Sequence, residues 1–538
     1  MHVGATLPHS GQRFVRAAGV ALPLFSLRGA DDLGTGSILD LIPFIDWLDR
    51  WDQRVVQLLP LNEAGPVEAS PYTTLSAFAI DPTFITTSQV ADVAGSTAAQ
   101  RWLRAPQVRR KLRTLRDAPR RDRPRVYAFK LRLLEFGFAE FEAATSRSAR
   151  ARRFEAFCER NARWLNDYAL FRAVKERRRW ASWETWPEEL RRRDAATLAQ
   201  TAAALRSRIR FAQYLQWIAA EQWETVRAHA RQRQVLLKGD LPFVCGPDSA
   251  DVWAHQELFD LNSSAGAPPD AFSATGQKWG LPLYNWTAMR EAGYAWWRQR
   301  ARQARELYDV FRIDHVIGLY RTFAIPVQKG GISGFTPHDE HTQWEQGRAL
   351  LGAVLEEADG DAAVIAEDLG TVPDWVRDSL TQLDIPGYKV LRWEKQHDGY
   401  IDPRTYPPLS VATTGTHDTD TLAAWWEDLD MDERQTIVRS LDLAAAGLQA
   451  PDTATPWSVE LHLALLRRLY ESGSVLTILP IQDLFGWTER INTPATVDES
   501  NWTYRLPVPT HGLDDDATIR SRMEALRDLI DQTGRNTP

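Results

Sequence analysis

Arg312-Ile-Asp314-His315, Ala366-Glu367-Asp368-Leu-Gly370 and Gly415-Thr416-His417-Asp418 form one set in the second half of the chain. Each follows a run of β-type residues: Tyr308-Asp-Val-Phe before the first, Ala363-Val-Ile before the second, Ser410-Val-Ala-Thr-Thr before the third. An acid therefore stands where each of three predicted buried strands gives way to a loop. The intervals each fit one or two strand–helix units. Carboxylates at strand ends of a parallel α/β barrel converge on its carboxyl face. Three converging carboxylates, with no serine or cysteine nucleophile, suit chemistry at a glycosidic bond.

In a retaining double displacement one carboxylate attacks the anomeric carbon. A second, about 5–5.5 Å away, first gives and then takes a proton. Asp314 suits the nucleophile. Arg312 lies two residues earlier, on the same strand face, and a guanidinium beside a carboxylate favours its ionised form. Glu367 suits the acid/base, and its neighbour Asp368 points the other way. Asp418 is left to grip hydroxyls and steady the charged transition state. His315 and His417, each beside an acid, can bond ring hydroxyls. No HxH, HExxH or calcium-loop spacing accompanies the acids, so the sequence offers no metal site.

The elements that must position these residues read as eight barrel strands: Gly19–Ser26, Val55–Pro60, Val235–Gly239, Val310–Asp314, Ala363–Glu367, Tyr388–Trp393, Val411–Thr414 and Val475–Pro480. Helical patterns separate most of them, including Ile38–Arg50, Tyr294–Glu306, Glu345–Glu357, Asp374–Leu383, Asp432–Ala445 and Ser458–Glu471. That alternation predicts an α/β fold, a (β/α)8 TIM barrel formed by the whole chain as a single catalytic unit. Residues 83–234 break the rhythm. They predict a helical insertion between strands two and three, with long helices at Tyr127–Ala144, Arg152–Val174 and Asp194–Ala230. Its arginines are expected to form a solvated face paired to glutamates at i,i+4. Residues 242–284 read as a long active-site loop region. Trp183 and Trp186 are expected to pack against the barrel rather than to serve as sugar platforms.

The bulk numbers narrow the function classes. With a net charge of −7 there is no bulk electrostatic case for nucleic acid. No apolar run is long enough to span a bilayer, and Met1–Ala18 lacks the apolar core of a signal peptide, so a cytoplasmic enzyme is expected. Cys158 and Cys245, the two cysteines, lie in no CxxC pair. The 22 tryptophans exceed ordinary usage, and indole faces suit the apolar faces of sugars, though most are expected in the core.

Longer strings carry a resemblance. They are Ser70-Pro-Tyr72 with Ser76-Ala-Phe78, Gly239-Asp240-Leu-Pro242, Asp248-Ser-Ala-Asp251-Val-Trp253, and Pro268-Pro-Asp270 followed by Gly276-Gln277-Lys-Trp279-Gly280. The three acid strings follow, then Pro480-Ile-Gln-Asp483, Arg490-Ile-Asn492 and Asn501-Trp502. In this order, along nearly the whole chain, they resemble the 4-α-glucanotransferases of the amylomaltase or disproportionating-enzyme type, glycoside hydrolase family 77. The resemblance implies Asp314 as nucleophile, Glu367 as acid/base and Asp418 as transition-state stabiliser. It also implies sugar contacts by Tyr72, Asp240, Asp270, Gln277, Trp279, Arg312, His315, His417 and Asn492. It implies transfer of α-1,4-glucan segments from maltooligosaccharides, or from glucans derived from starch or glycogen, to the 4-hydroxyl of glucose or another glucan. No cofactor and no metal are implied, nor any nucleic-acid or membrane partner.

The chain also departs from the family pattern. Ala271 stands where an aromatic often follows Pro-Pro-Asp, and Thr419 stands where an asparagine is usual. Arg123 falls where some members carry an aromatic of a remote glucan site. The string after His315, Val-Ile-Gly-Leu-Tyr-Arg-Thr-Phe, is closer to the branch that holds the plant cytosolic disproportionating enzyme. Two other readings share the residues. An α-glucan hydrolase uses the same three acids, and a silent glucan-binding scaffold would not need them.

Overall fold

Eight short parallel strands form one sheet that curls round on itself. They are β1 (Ala17–Leu22), β2 (Val55–Leu58), β3 (Leu236–Leu241), β4 (Val310–Ile313), β5 (Ala363–Ala366), β6 (Gly387–Val390), β7 (Ser410–Thr413) and β8 (Leu476–Pro480). Hydrogen-bonded neighbours run β6-β7-β8-β1-β2-β3-β4-β5, which is chain order with the seam between β5 and β6. Across that seam the Ala366 N–H donates to the Pro386 carbonyl at 2.9 Å. This is a nearly closed (β/α)8 barrel. The computed structural model describes residues 14–144, 148–268, 277–328, 332–397, 399–448, 456–494, 496 and 498–536.

The strands match the eight predicted ones to within a few residues. β1 starts earlier and stops at Leu22, because Pro23 has no N–H for a further ladder bond and opens a short 3-10 turn, Leu24–Ser26. Alternation along the strands splits their residues into two sets. Val55, Val310, Ile365, Val411, Leu476 and Ile478 fill the barrel axis with Ala17 and Tyr388. The alternate positions, among them Val56, Phe311, Val364 and Ala412, join the larger core under the outer helices. Helices Leu41–Arg50, Ala295–Leu307, Glu340–Ala358, Asp374–Gln382 and Val459–Tyr470 stand where helical patterns were read.

Between β2 and β3 lies a run of helices, the longest being Arg123–Ala143, Ala162–Arg177 and Arg206–Gln232. Two predicted helices are each broken in two. The first separates into Ala149–Arg160 and Ala162–Arg177 at Asn161, whose side-chain amide donates to the Phe157 carbonyl at 2.9 Å. Its side-chain oxygen accepts from the Trp164 indole at 3.2 Å. An asparagine that bonds its own neighbourhood competes with the helical ladder. The second breaks at Leu205 into Ala195–Ala204 and Arg206–Gln232, and Leu205 is buried there.

The arginines are less solvated than their spacing suggests. Arg172 is buried on Glu63, and Arg123 is buried on Asp81 at 2.7 Å. Others bridge between helices, as Arg150 does to Asp92 and Arg210 to Glu142 and Glu155. Trp183 and Trp186 are buried. The Trp183 indole donates to the Pro247 carbonyl, and Trp186 packs on Phe171 and Trp253. Cys158 and Cys245 are both free thiols.

The stretch read as a long loop after β3 contains regular structure. Phe259–Ala267 and Gln277–Tyr284 pair antiparallel, and Thr322–Pro326 and Gly334–Thr336 extend them to a four-stranded sheet. Alternation here is blurred by a bulge between Asp260 and Gly266, which hid the strands from a period-two reading.

Candidate active site

The carboxyl ends of β3, β4 and β5 bring Asp240, Arg312, Asp314 and Glu367 together around one guanidinium. Arg312 Nη1 donates to both oxygens of Asp240 at 2.6 Å. Its Nη2 lies 2.9 Å from Asp314 Oδ1 and 3.6 Å from Glu367 Oε2. The sum of those two distances is a ceiling on the separation of the two oxygens. It falls at the lower edge of the about 6.5–9.5 Å typical of inverting pairs, so the spacing suits the closer, retaining arrangement.

Backbone donors fix Glu367. Its Oε2 accepts the His315 N–H at 2.6 Å and its Oε1 accepts the Leu369 N–H at 3.1 Å. His315 presents that N–H from the left-handed region, φ 45°. Asp368 is turned away and accepts the Tyr388 N–H at 2.7 Å.

Electrostatics alters one expectation. Arg312 does favour the charged form of Asp314, but burial outweighs it, with Asp240 and Glu367 adding their repulsion. The Asp314 carboxyl is pushed up to about 7. Glu367 is also raised, by burial, against the pull of Arg312 and the two backbone N–H groups. Burial thus favours the neutral form of both acids, each against the pull of the same guanidinium. Burial, then Arg312, pushes His315 down to about 4, so it is neutral at pH 7.

Asp418 stands apart, on the loop after β7, with 43% of its side chain exposed. Asn492 Nδ2 donates to its Oδ1 at 2.7 Å, and Arg490 Nη2 donates to its backbone carbonyl at 2.8 Å. The loop's two ends are clamped by buried Asp483, which accepts from the Thr414 hydroxyl at 2.5 Å and the Leu422 N–H at 2.7 Å. Thr419 folds the loop inward, its hydroxyl accepting the Thr416 N–H at 3.0 Å.

Of the other predicted contacts, Tyr72 donates its hydroxyl to Asp240 at 2.8 Å and stacks on His417, ring centres 5.1 Å apart. Trp279 meets the His315 ring edge-on at 5.0 Å, and its indole donates to Gln277 Oε1. Asp270 lies outside the described residues. Trp502 completes the aromatic group, 5.9 Å from Tyr72 and 5.6 Å from His417. Sequence reasoning quoted Trp502, Arg490 and Asp483 within family strings but gave them no place in the site. Gln57, Lys238 and Tyr388 it did not single out. Inward-facing polar residues on strands otherwise filled by valine and isoleucine were the signal available for them.

The 4-alpha-glucanotransferase family pattern matches residues 22–510. The 4-alpha-glucanotransferase of Chlamydia caviae is 32% identical over 501 residues, covering 91% of this chain and 90% of the relative. That of Thermus thermophilus is 32% identical over 533 residues, covering 96% and 99%. Among solved structures, the amylomaltase of Streptococcus agalactiae in complex with acarbose superposes with a TM-score of 0.81 at 26% identity, covering 97% of this chain and 99% of that one. With the acids at the strand ends of a matching barrel, the chain belongs to the 4-alpha-glucanotransferase family.

Proposed function

We propose that this chain transfers α-1,4-glucan segments by a retaining double displacement, with Asp314, Glu367 and Asp418 as its catalytic residues. Asp314 attacks the anomeric carbon as the bond to the leaving 4-oxygen breaks, and Glu367 gives that oxygen its proton. The 4-hydroxyl of the acceptor then attacks the same carbon, Glu367 takes its proton, and the bond to Asp314 breaks. The observation that carries this reading is the single Arg312 guanidinium in reach of both carboxylates. A pair raised together loses one proton before the other, which leaves one anion to attack and one acid to donate. Asp418, held by Asn492, faces the charge that develops on the sugar.

Tyr72, Asp240, Arg312, His315, His417, Asn492, Gln277, Trp279 and Asp270 are the sugar contacts in this reading, and no cofactor takes part. Donors are maltooligosaccharides or glucans derived from starch or glycogen, and glucose or another α-glucan is the acceptor. The chain works as a single catalytic unit. Residues 83–234 form its helical insertion, and residues 242–284 cover the site and favour a sugar hydroxyl over water. Two free thiols, and no helix among the described residues long and apolar enough to cross a membrane, fit a reducing cytoplasm.

The test is incubation with maltotriose. Transfer gives glucose and a ladder of longer maltooligosaccharides with little net gain in reducing ends. Products no longer than the substrate would leave hydrolysis as the activity.

A further inference from the structure

Beneath the acids the barrel interior is polar where it would ordinarily be apolar. Lys238 lies one inward position below Asp240 on β3 and is fully buried. Its Nζ donates to Gln57 Oε1, on β2, at 2.5 Å. The same Nζ lies 2.5 Å from the hydroxyl of Tyr388, on β6. The Tyr388 hydroxyl is itself 3.2 Å from Gln57 Oε1. Burial, then Arg312, pushes the Lys238 ammonium towards its neutral form, and a neutral amine still has two N–H bonds, one for Gln57 and one for the Tyr388 hydroxyl.

Two donors on one amide oxygen settle which way the amide faces. Gln57 Nε2 must point away from both, and among the described residues nothing bonds it. Nor is it sealed off, as the Gln53 amide is. Gln57 lines a cavity of about 40 Å3 together with Arg312, Tyr388, Thr413, His417 and Ile478. That is room for a few waters or one substituent of a sugar, not for a ring. The cavity is thus bounded by Arg312 and His417 together with Gln57, whose amide nitrogen is left free of a protein partner among the described residues.

We infer that Gln57 is a further sugar-contacting residue of the donor site, its amide N–H group binding a hydroxyl of the deepest glucose unit, and that Lys238 and Tyr388 are the positioning residues that aim it. This rests on the glucan-transfer reading for the identity of the sugar. It adds a specificity element: the barrel floor inspects a substituent that the acids above do not touch.

The test is binding of maltotriose and of its monodeoxy analogues, measured by calorimetry on the full chain carrying Glu367→Gln, so that nothing turns over. Adding Gln57→Leu is expected to weaken maltotriose about tenfold. One analogue should show that same loss against an unaltered Gln57 and no further loss against Gln57→Leu. Lys238→Met should reproduce the Gln57→Leu pattern, and the two together should cost no more than either. Gln57→Glu, which keeps the shape but replaces the donor by an acceptor, serves as the second variant, with melting temperature checked for each. Penalties that simply add for every analogue, or a Gln57→Leu protein that binds as its parent does, overturn the inference. So does a parent that binds no maltotriose. A parent that binds, paired with a wild-type chain that transfers nothing, refutes the reaction and leaves the contact standing.

Discussion

Two networks of buried charge use the same residue types to opposite ends. Under the helical insertion, Glu63 follows β2 and accepts from Arg172 Nε at 3.0 Å and from the Tyr168 hydroxyl. Arg172 also reaches Glu176 and the Tyr127 hydroxyl, and Gln216 bonds Tyr168. Glu63 and Arg172 have side chains 0% and 1% exposed, so no oxygen or nitrogen there is left for a ligand. At the barrel mouth, Arg312 is also buried, against Asp240, yet Asp314 keeps 21% of its side chain exposed and Asp418 43%. The difference is not how much charge is buried but whether its lone pairs are already spent. A closed network joins the insertion to the barrel, and an open one is ready for a substrate.

The sharpest break of this comparison is Asp314→Asn. In the open network only the attacking charge is lost, so transfer should fall to background while the chain still folds. Glu367→Gln should cost about 10²–10⁴-fold on maltooligosaccharides and less on a glycosyl fluoride, whose leaving group needs little protonation. Equal loss on both donors would remove Glu367 from the proton-transfer role. Mass-spectrometric detection of a trapped sugar on a residue other than Asp314 would reassign the nucleophile.

The closed network should answer in stability instead. Arg172→Met leaves Glu63 buried and unpaired, a change that costs about 3–5 kcal/mol. Transfer per folded molecule should be unchanged. A loss of turnover at unchanged unfolding midpoint would show that the insertion network reaches the chemistry. A smaller effect is expected at the rim. Asn492→Ala removes the one hydrogen bond that its side chain gives Asp418 and should slow transfer about tenfold, with an unaltered melting temperature.

A further expectation is a pH dependence of stability. Folding raises the Asp314 carboxyl from its ordinary 3.8 to about 7. Between those values the folded chain holds a proton that the unfolded chain releases, so this group costs progressively more stability as pH rises through the window. Asp314→Asn removes that cost. Its melting temperature relative to wild type should therefore climb from pH 4 to pH 7. A flat or falling difference would mean that Arg312 wins over burial after all.

Much of this was legible in the sequence because strand ends announce themselves. Asp314 and Glu367 each close a short apolar strand, Asp418 follows a third on its loop, and alternation put Arg312 on the face of Asp314. What stayed hidden depends on residues far apart in the chain. Asp240 and Glu367, 74 and 53 residues from Asp314, help decide its charge. Asn161 and Leu205 break helices through local bonding and burial that helical periodicity does not register. Lys238 drew no notice within its apolar strand, because its partners Gln57 and Tyr388 lie 181 and 150 residues away. The strands of the small sheet were hidden by their own bulge.

The seam between β5 and β6 has a mechanical consequence. Asp314 and Glu367 end adjacent strands and are stitched past their tips: the Glu367 N–H bonds the Ile313 carbonyl, and the Val316 N–H bonds the Glu367 carbonyl. Their spacing cannot change without shearing that ladder. Asp418 is carried on the far side of the seam, where the Ala366 N–H to Pro386 bond and the Tyr388 N–H to Asp368 side-chain bond stand in for a regular ladder. The candidate site thus joins a pair locked by backbone bonds to a third acid held by side chains, Asn492 on its carboxyl and Arg490 on its carbonyl.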